Sequence, residues 1–194
     1  MPRPMRIDFE GALHHVMNRG AARRAIYRDD DDRQLFLECL ATASRSTEMQ
    51  VASYCLKSNH FHLLVRSKAG KLSDFIRMLV GRYSRLFNQR SNSNGPIFRG
   101  RCHSVEIETE AQFLETSRYI HLNPVKAGLT AHPADWQWSS ARAVLGLQAG
   151  PEWLQASLIL ELFSLTYATT SYATFLDDGI ETAFSRHLEE LERL

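Results

Sequence analysis

The sequence predicts an α+β fold: a ferredoxin-like split βαβ antiparallel sheet with helices on one face, plus a mostly helical C-terminal extension. Three observations predict it. Strand-like runs and runs with a 3.6-residue apolar period follow one another in the order β-α-β-β-α-β, and then comes another helix. The two middle strand runs flank only Lys57-Ser58-Asn59, a hairpin signal. The chain has 194 residues, 44% apolar and 23% charged, enough for one domain or one domain with a small appendage.

Residues 13–19 (LHHVMNR) read as the first strand, closed by Gly20. Four aspartates, Asp29 to Asp32, then open a helix of about 16 residues, because acids in a first turn complement the helix dipole. Its apolar positions are Leu35, Phe36, Cys39, Leu40 and Ala43. Residues 50–56 and 60–65 are the hairpin strands. Residues 71–90 form the clearest helix, with Leu72, Phe75, Ile76, Leu79, Val80, Tyr83, Leu86 and Phe87 on one stripe. Lys71, Arg77, Arg82 and Arg85 fall on the other side. SNSNGP (91–96) is a loop, and Val105 and Ile107 alternate with Glu106 and Glu108 in a short strand. Thr109 and Gln112 make a capping box for a helix ending near Leu122. Asn123-Pro124 reads as the N-cap and first position of a separate short turn ending at Gly128.

Past Pro133 the texture changes to Trp136, Trp138 and an acidic, mostly helical tail. This divides the chain into a main domain, residues 1–135, and a helical extension of unassigned role, residues 136–194. The tail reads equally well as a wrap on the same core. No apolar stretch is long enough to cross a membrane, and the N-terminus has no secretory apolar region. Cys39, Cys55 and Cys102 form no CxxC pair, which excludes a zinc ribbon and a disulfide framework and fits a cytoplasmic protein.

The net charge of +1 hides an asymmetry. Residues 57–103 carry ten Lys or Arg against one acid, whereas residues 147–194 carry two against eight. Such a basic stretch suits a polyanion, or it is simply a solvated face. The scarcity of acids among Arg77, Arg82 and Arg85 favours contact with phosphates.

His60-Phe61-His62 places two imidazoles on one face of a strand and Phe61 on the other. Two imidazoles make half of a metal site, or a hydrogen-bonded pair on a sheet surface. Tyr119 and Asn123 share a helix flank one turn apart, where a boundary tyrosine and a helix cap are the plain roles. Together with a basic helix, the set suits phosphodiester chemistry. A divalent metal polarises the ester, and a phenolate attacks phosphorus to give a covalent intermediate. A free phenol titrates near 10, so it needs the metal field or a base. Trp136 and Trp138 suit base stacking or the core.

HHVMNRG (14–20), SYCLKSNHFHLLVR (53–66), GPIFRGR (95–101) and RYIHLNPVKAGL (118–129) together resemble the HUH single-tyrosine transposases. The nearest likeness is to the small REP-associated tyrosine transposases. The resemblance spans about residues 12–135. It implies Mg²⁺ or Mn²⁺ between His60 and His62, with Asn123 at the position of a third ligand that is glutamine in some relatives. It implies Tyr119 as nucleophile, and single-stranded DNA beside hairpins as substrate, giving a 5′-phosphotyrosine link and a free 3′-hydroxyl. It also implies DNA contacts from His15 and Arg19, with Arg99 and Arg101 in the GPIFRGR motif. Some relatives build composite sites across a homodimer and others are self-contained. The alternatives are a metal-dependent nuclease in which water attacks, and a hairpin binder without catalysis.

Overall fold

Four strands form one antiparallel sheet in the computed structural model, which describes residues 6–167 and 169–181. They are β1 (Leu13–Arg19), β2 (Met49–Leu56), β3 (His60–Ser67) and β4 (His103–Ile107), in the spatial order β2-β3-β1-β4. α1 (Asp30–Thr47) joins β1 to β2, and α2 (Leu72–Ser91) joins β3 to β4. This is the expected split βαβ arrangement. α1 starts where the aspartates predict, with the Asp29 carboxylate accepting from Asp32 N at 2.9 Å. Phe36 and Leu40 of α1 and Phe75, Leu79 and Tyr83 of α2 bury against Val16, Phe61, Leu63 and Val65. The two helices of the split βαβ unit therefore share one face of the sheet.

α3 (Glu110–Lys126) lies on the opposite face, where Phe113, Leu114 and Ile120 pack on Ala52, Cys55, Leu64 and Ile107. The sheet is thus covered on both sides. The trace of this in the sequence is β3, whose residues 60–65 are all buried. A strand with one wet face would alternate apolar and polar residues. Pro124 does not start a separate turn: α3 runs through it to Lys126. Proline removes one N–H and crowds the carbonyl four residues back. Here it falls in the last turn, and the chain is closed by Ala127 N and Leu129 N donating to the carbonyls of Asn123 and Pro124, at 3.2 and 3.0 Å.

The extension holds α4 (Ala141–Val144), α5 (Ser157–Thr166) and α6 (Tyr172–Glu181). It adds to the outer edge of β2: Leu56 N donates to Trp138 O at 2.8 Å, Ser140 N to Tyr54 O at 3.0 Å and Gln155 N to Val51 O at 2.8 Å. Trp136 Nε1 donates to Leu56 O at 3.0 Å. Both tryptophans fasten the extension to the sheet. Val144, Ile159, Phe163, Tyr172 and Leu176 share one apolar cluster with α3. A Cβ on Gly179 would lie 2.7 Å from Leu122 Cδ1, so α6 sits closely on α3. Packing crosses residue 135 without a break, and the extension wraps the same core. Residues 182–194 of the acidic tail lie outside the described residues. All three cysteines are buried, and no described helix is long and apolar enough to cross a membrane.

Candidate active site

The register of β1 on β3 sets Met17 opposite His62 and Arg19 opposite His60. Side chains alternate along each strand, so His15, Met17 and Arg19 share a face with His60 and His62. That face is the one α3 crosses. Tyr119 and Asn123, one helical turn apart, descend onto the two histidines. The His62 ring lies edge-on to Tyr119 with centroids 5.5 Å apart, and edge-on to His60 at 5.0 Å. His15 stacks on His62 at 5.2 Å and meets the Tyr119 ring edge-on at 6.0 Å. The Nε2 of His15 is 3.0 Å from the Nδ1 of His62, and Asn123 Nδ2 is 3.4 Å from the Nε2 of His62. The Nδ1 of His60 is 2.7 Å from the Asn59 Oδ1. Tyr119, His60, His62 and Asn123 are all buried, and all come from one chain.

What holds α3 in place is a buried polar network between the helix, the extension and the β2 edge. Tyr172 Oη lies 2.9 Å from both Ser117 Oγ and His121 Nδ1. His121 Nε2 lies 2.8 Å from Ser140 Oγ, which in turn accepts from Tyr54 N at 2.9 Å. Burial lowers the His121 pKa to about 3, so the ring is neutral in the folded protein. An unfolded histidine titrates near 6.5. Between these values the unfolded chain binds a proton that the folded chain refuses. This contribution to stability is therefore complete above about pH 6.5 and lost as pH falls, by at most about 1.4 kcal/mol per pH unit. Thermal unfolding at pH 7.5 and pH 5 should show a smaller loss of midpoint on acidification in His121→Gln than in the parent. An equal loss in both would mean that His121 is not the group responsible.

His60, Tyr119 and Asn123 form the floor of an open cleft of about 630 Å³ whose walls carry Arg19, Arg23, Lys57 and Lys126. Lys126 Nζ is 5.5 Å from the Tyr119 ring centroid, and Lys57 Nζ donates to Asn123 O at 3.5 Å. Arg23, Lys57 and Lys126 are absent from the residues expected on sequence grounds. The signal for Lys126 was its place seven residues after Tyr119, on the same helix face; ending the helix near Leu122 hid it. Arg23 follows Gly20 in a tight turn (Ala21–Arg23) where Ala22 and Arg23 both adopt positive φ. Gly20 permits that turn, since a Cβ there would lie 2.0 Å from the Arg24 carbonyl oxygen.

Arg99 and Arg101 lie exposed on the loop that enters β4, and Arg99 N donates to Arg19 O at 2.8 Å, which keeps this loop beside the cleft end of β1. His15 is only 1% exposed and is a neighbour of His62 rather than a surface residue. Arg77, Arg82 and Arg85 are not brought to the cleft. They stand on α2, on the far layer of the sheet, although α2 follows the HxH strand directly in sequence. The alternation of β3 sends the histidines away from α2. The basic stretch is also less bare than its composition suggests. Arg77 pairs with Asp74 at 2.8 Å, and Arg90 pairs with Asp29 and Asp31 at the start of α1, at 2.7 and 2.8 Å.

Residues 9–123 match the family model described as "Transposase IS200 like", a span that begins before β1 and ends at Asn123. The chain belongs to the IS200-like transposases. Among solved structures, this IS200-like chain shares its fold with a REP-associated tyrosine transposase bound to a REP hairpin. The TM-score is 0.64 at 17% identity, covering 78% of this chain and 89% of that one. A chain from Deinococcus radiodurans provisionally assigned as a transposase aligns at TM-score 0.44 and 13% identity, covering 61% of this chain and 95% of its own. The tRNA(His) guanylyltransferase of Saccharomyces cerevisiae aligns at TM-score 0.37 and 11% identity, covering 87% and 85%. A search of curated proteins finds no match.

Proposed function

We propose that this transposase cleaves and rejoins single-stranded DNA beside folded hairpins, with Tyr119 as the nucleophile. The observation that carries the reading is the Tyr119 ring edge-on to His62, 5.5 Å away, on the floor of a cleft lined by four cations. The hydroxyl of Tyr119 attacks phosphorus, the P–O3′ bond breaks, and the products are a 5′-phosphotyrosine and a free 3′-hydroxyl. One phosphoester replaces another, so no nucleotide cofactor is consumed. Rejoining is the same exchange run backwards by a 3′-hydroxyl.

The residues present fit a divalent cation, Mg²⁺ or Mn²⁺. Among the described residues no three His, Cys, Asp or Glu side chains are grouped to hold an ion. The donors that would hold it are the Nε2 atoms of His60 and His62 with the side-chain amide of Asn123, which lies 3.4 Å from His62 Nε2. A mixed nitrogen and oxygen set of this kind leaves coordination positions for phosphate oxygens. When bound, the cation would polarise the phosphodiester and offset its charge. Arg19, Arg23, Lys57 and Lys126 line the approach and hold the flanking phosphates, joined by Arg99 and Arg101 at its rim. Lys126 also sets positive charge over the Tyr119 ring.

Tyr119 is buried on a helix flank, so the strand must bend into the cleft to put phosphorus in line with it. A flexible single strand bends readily and a duplex does not. The relative of known structure was bound to a REP hairpin, which supports a hairpin next to the cleaved strand. The test uses labelled hairpin oligonucleotides with single-stranded flanks, Mg²⁺ or Mn²⁺, and a denaturing gel. A covalent protein–DNA band and little cleavage of perfect duplex are expected. Cleavage without the band would assign the attack to water, and binding without cleavage would make the protein a hairpin binder.

The position of the cations gives a separate prediction. Each phosphate neutralised on a single strand contributes roughly 0.7 to the slope of log K against log salt. Replacing Arg19 and Arg23 by Ala should flatten that slope by roughly 1.4, alike on different sequences, because phosphate contacts position without specifying. Replacing Arg82 and Arg85, on the far layer, should leave it unchanged. The reverse pattern in a salt titration would place the DNA on α2.

A further inference from the structure

We propose that His15 is a positioning residue that fixes the ring and tautomer of His62, so that His62 keeps its Nε2 unprotonated on the side that faces Asn123. The proposal rests on the reading above, in which His60 and His62 hold a divalent cation. It gives His15, which the motif resemblance assigns to DNA contact, a part beside His62 instead.

His15 pairs with Leu64 across the β1–β3 ladder, while His62 pairs with Met17, two residues along on the same face. Diagonal neighbours of this kind stand roughly 7–8 Å apart, within reach of long or aromatic side chains. The two rings close that gap. They stack with an interplanar angle of 26°, and His15 Nε2 comes within 3.0 Å of His62 Nδ1. Both residues are 1% exposed, so water does not compete for the contact.

A neutral imidazole carries one proton, and the nitrogen that bears it cannot be a ligand. Two arrangements satisfy the 3.0 Å contact. In one, His62 Nδ1–H donates to His15 Nε2, and His62 Nε2 keeps its lone pair. In the other, His15 donates, and His62 must carry its proton on Nε2. The Asn123 side chain selects the first, because its Nδ2, a donor, faces His62 Nε2 at 3.4 Å. The same logic holds at His60, where Asn59 Oδ1, which can only accept, lies 2.7 Å from Nδ1. Each imidazole of the HxH pair is thus tied from behind at Nδ1 by an acceptor from a different element, which puts the ring proton on Nδ1 and leaves Nε2 unprotonated.

Partners of this kind orient metal-binding histidines in general, and their loss typically lowers metal affinity 10–100-fold. The two ties are unequal. Asn59 is on the cleft wall, where water can take its place. His15 is enclosed between His62 and Tyr119, where nothing can.

The experiment is a calorimetric titration of the DNA-free protein with Mn²⁺, comparing the parent with His15→Leu, His15→Gln and Asn59→Ala. His15→Leu should lose affinity roughly 10–100-fold while circular dichroism and the melting midpoint show a folded protein. His15→Gln, whose Oε1 accepts the same proton, should recover most of it. Asn59→Ala should lose less than His15→Leu. The second readout is the ¹⁵N–¹H ring spectrum of His62, which should report the Nδ1–H tautomer in the parent and mixed tautomers in His15→Leu. Parent-like Mn²⁺ affinity in folded His15→Leu, or a parent His62 protonated on Nε2, would overturn the proposal. If the parent itself binds no Mn²⁺, the metal reading fails, and the ring spectra still decide whether His15 sets the tautomer. If His15→Leu does not fold, the parent spectrum and the His15→Gln titration decide it.

Discussion

Tyr119→Phe is expected to abolish the covalent protein–DNA adduct and to lower cleavage by at least about 10³-fold, since it removes the attacking oxygen and nothing else. The ring stays. It keeps its edge-on contacts with His15 and His62, so the floor of the cleft and the seat of α3 are unchanged. Binding to a hairpin oligonucleotide should match the parent within a factor of about two, because the cations that meet the phosphates are untouched. The comparison needs a denaturing gel for the adduct and a binding titration on the same preparation. A full adduct in Tyr119→Phe would force the nucleophile elsewhere. Cleavage that survives without an adduct would make water the attacking group.

The second large effect belongs to the histidine pair. His60→Ala and His62→Ala each remove one of only two imidazole donors, and each should lower cleavage by about 10²-fold or more together with its response to added Mn²⁺. Asn123→Ala should be milder, since water can stand in for a neutral amide ligand. The gradation matters more than the absolute losses. If Asn123→Ala proves the most severe, the amide is acting through the Tyr119 helix and not as a donor. Full activity in excess EDTA would remove the cation from the reaction altogether.

Much of this was legible in the sequence because it depends on local periods. The apolar stripe from Leu72 to Phe87 specifies α2, the aspartates before Arg33 specify the start of α1, and a two-residue spacing puts His60 and His62 on one face. The rest depends on which strand lies beside which. His15 and His62 are 47 residues apart in sequence, and nothing near either says that β1 will set them diagonally. The face on which α3 lands is equally non-local, and with it the separation of Arg77, Arg82 and Arg85 from the histidines. Lys126 was hidden for another reason. Proline after asparagine ordinarily marks a boundary, and only the packing of Asn123 and Pro124 against the sheet side shows that the helix carries on.

The network that seats α3 also has a consequence for how the protein is made. A chain leaves the ribosome N-terminus first. β1 to β4 and the whole of α3 emerge before Ser140, and well before Tyr172, so the histidine pair can be in place while the helix bearing Tyr119 still lacks the partners of Ser117 and His121. Synthesis therefore imposes an order: Tyr119 is the last of the clustered side chains to be secured, and a nascent chain that stalls before Tyr172 leaves the helix that bears it without these partners. On the reading of Tyr119 as nucleophile, activity then depends on synthesis having passed Tyr172.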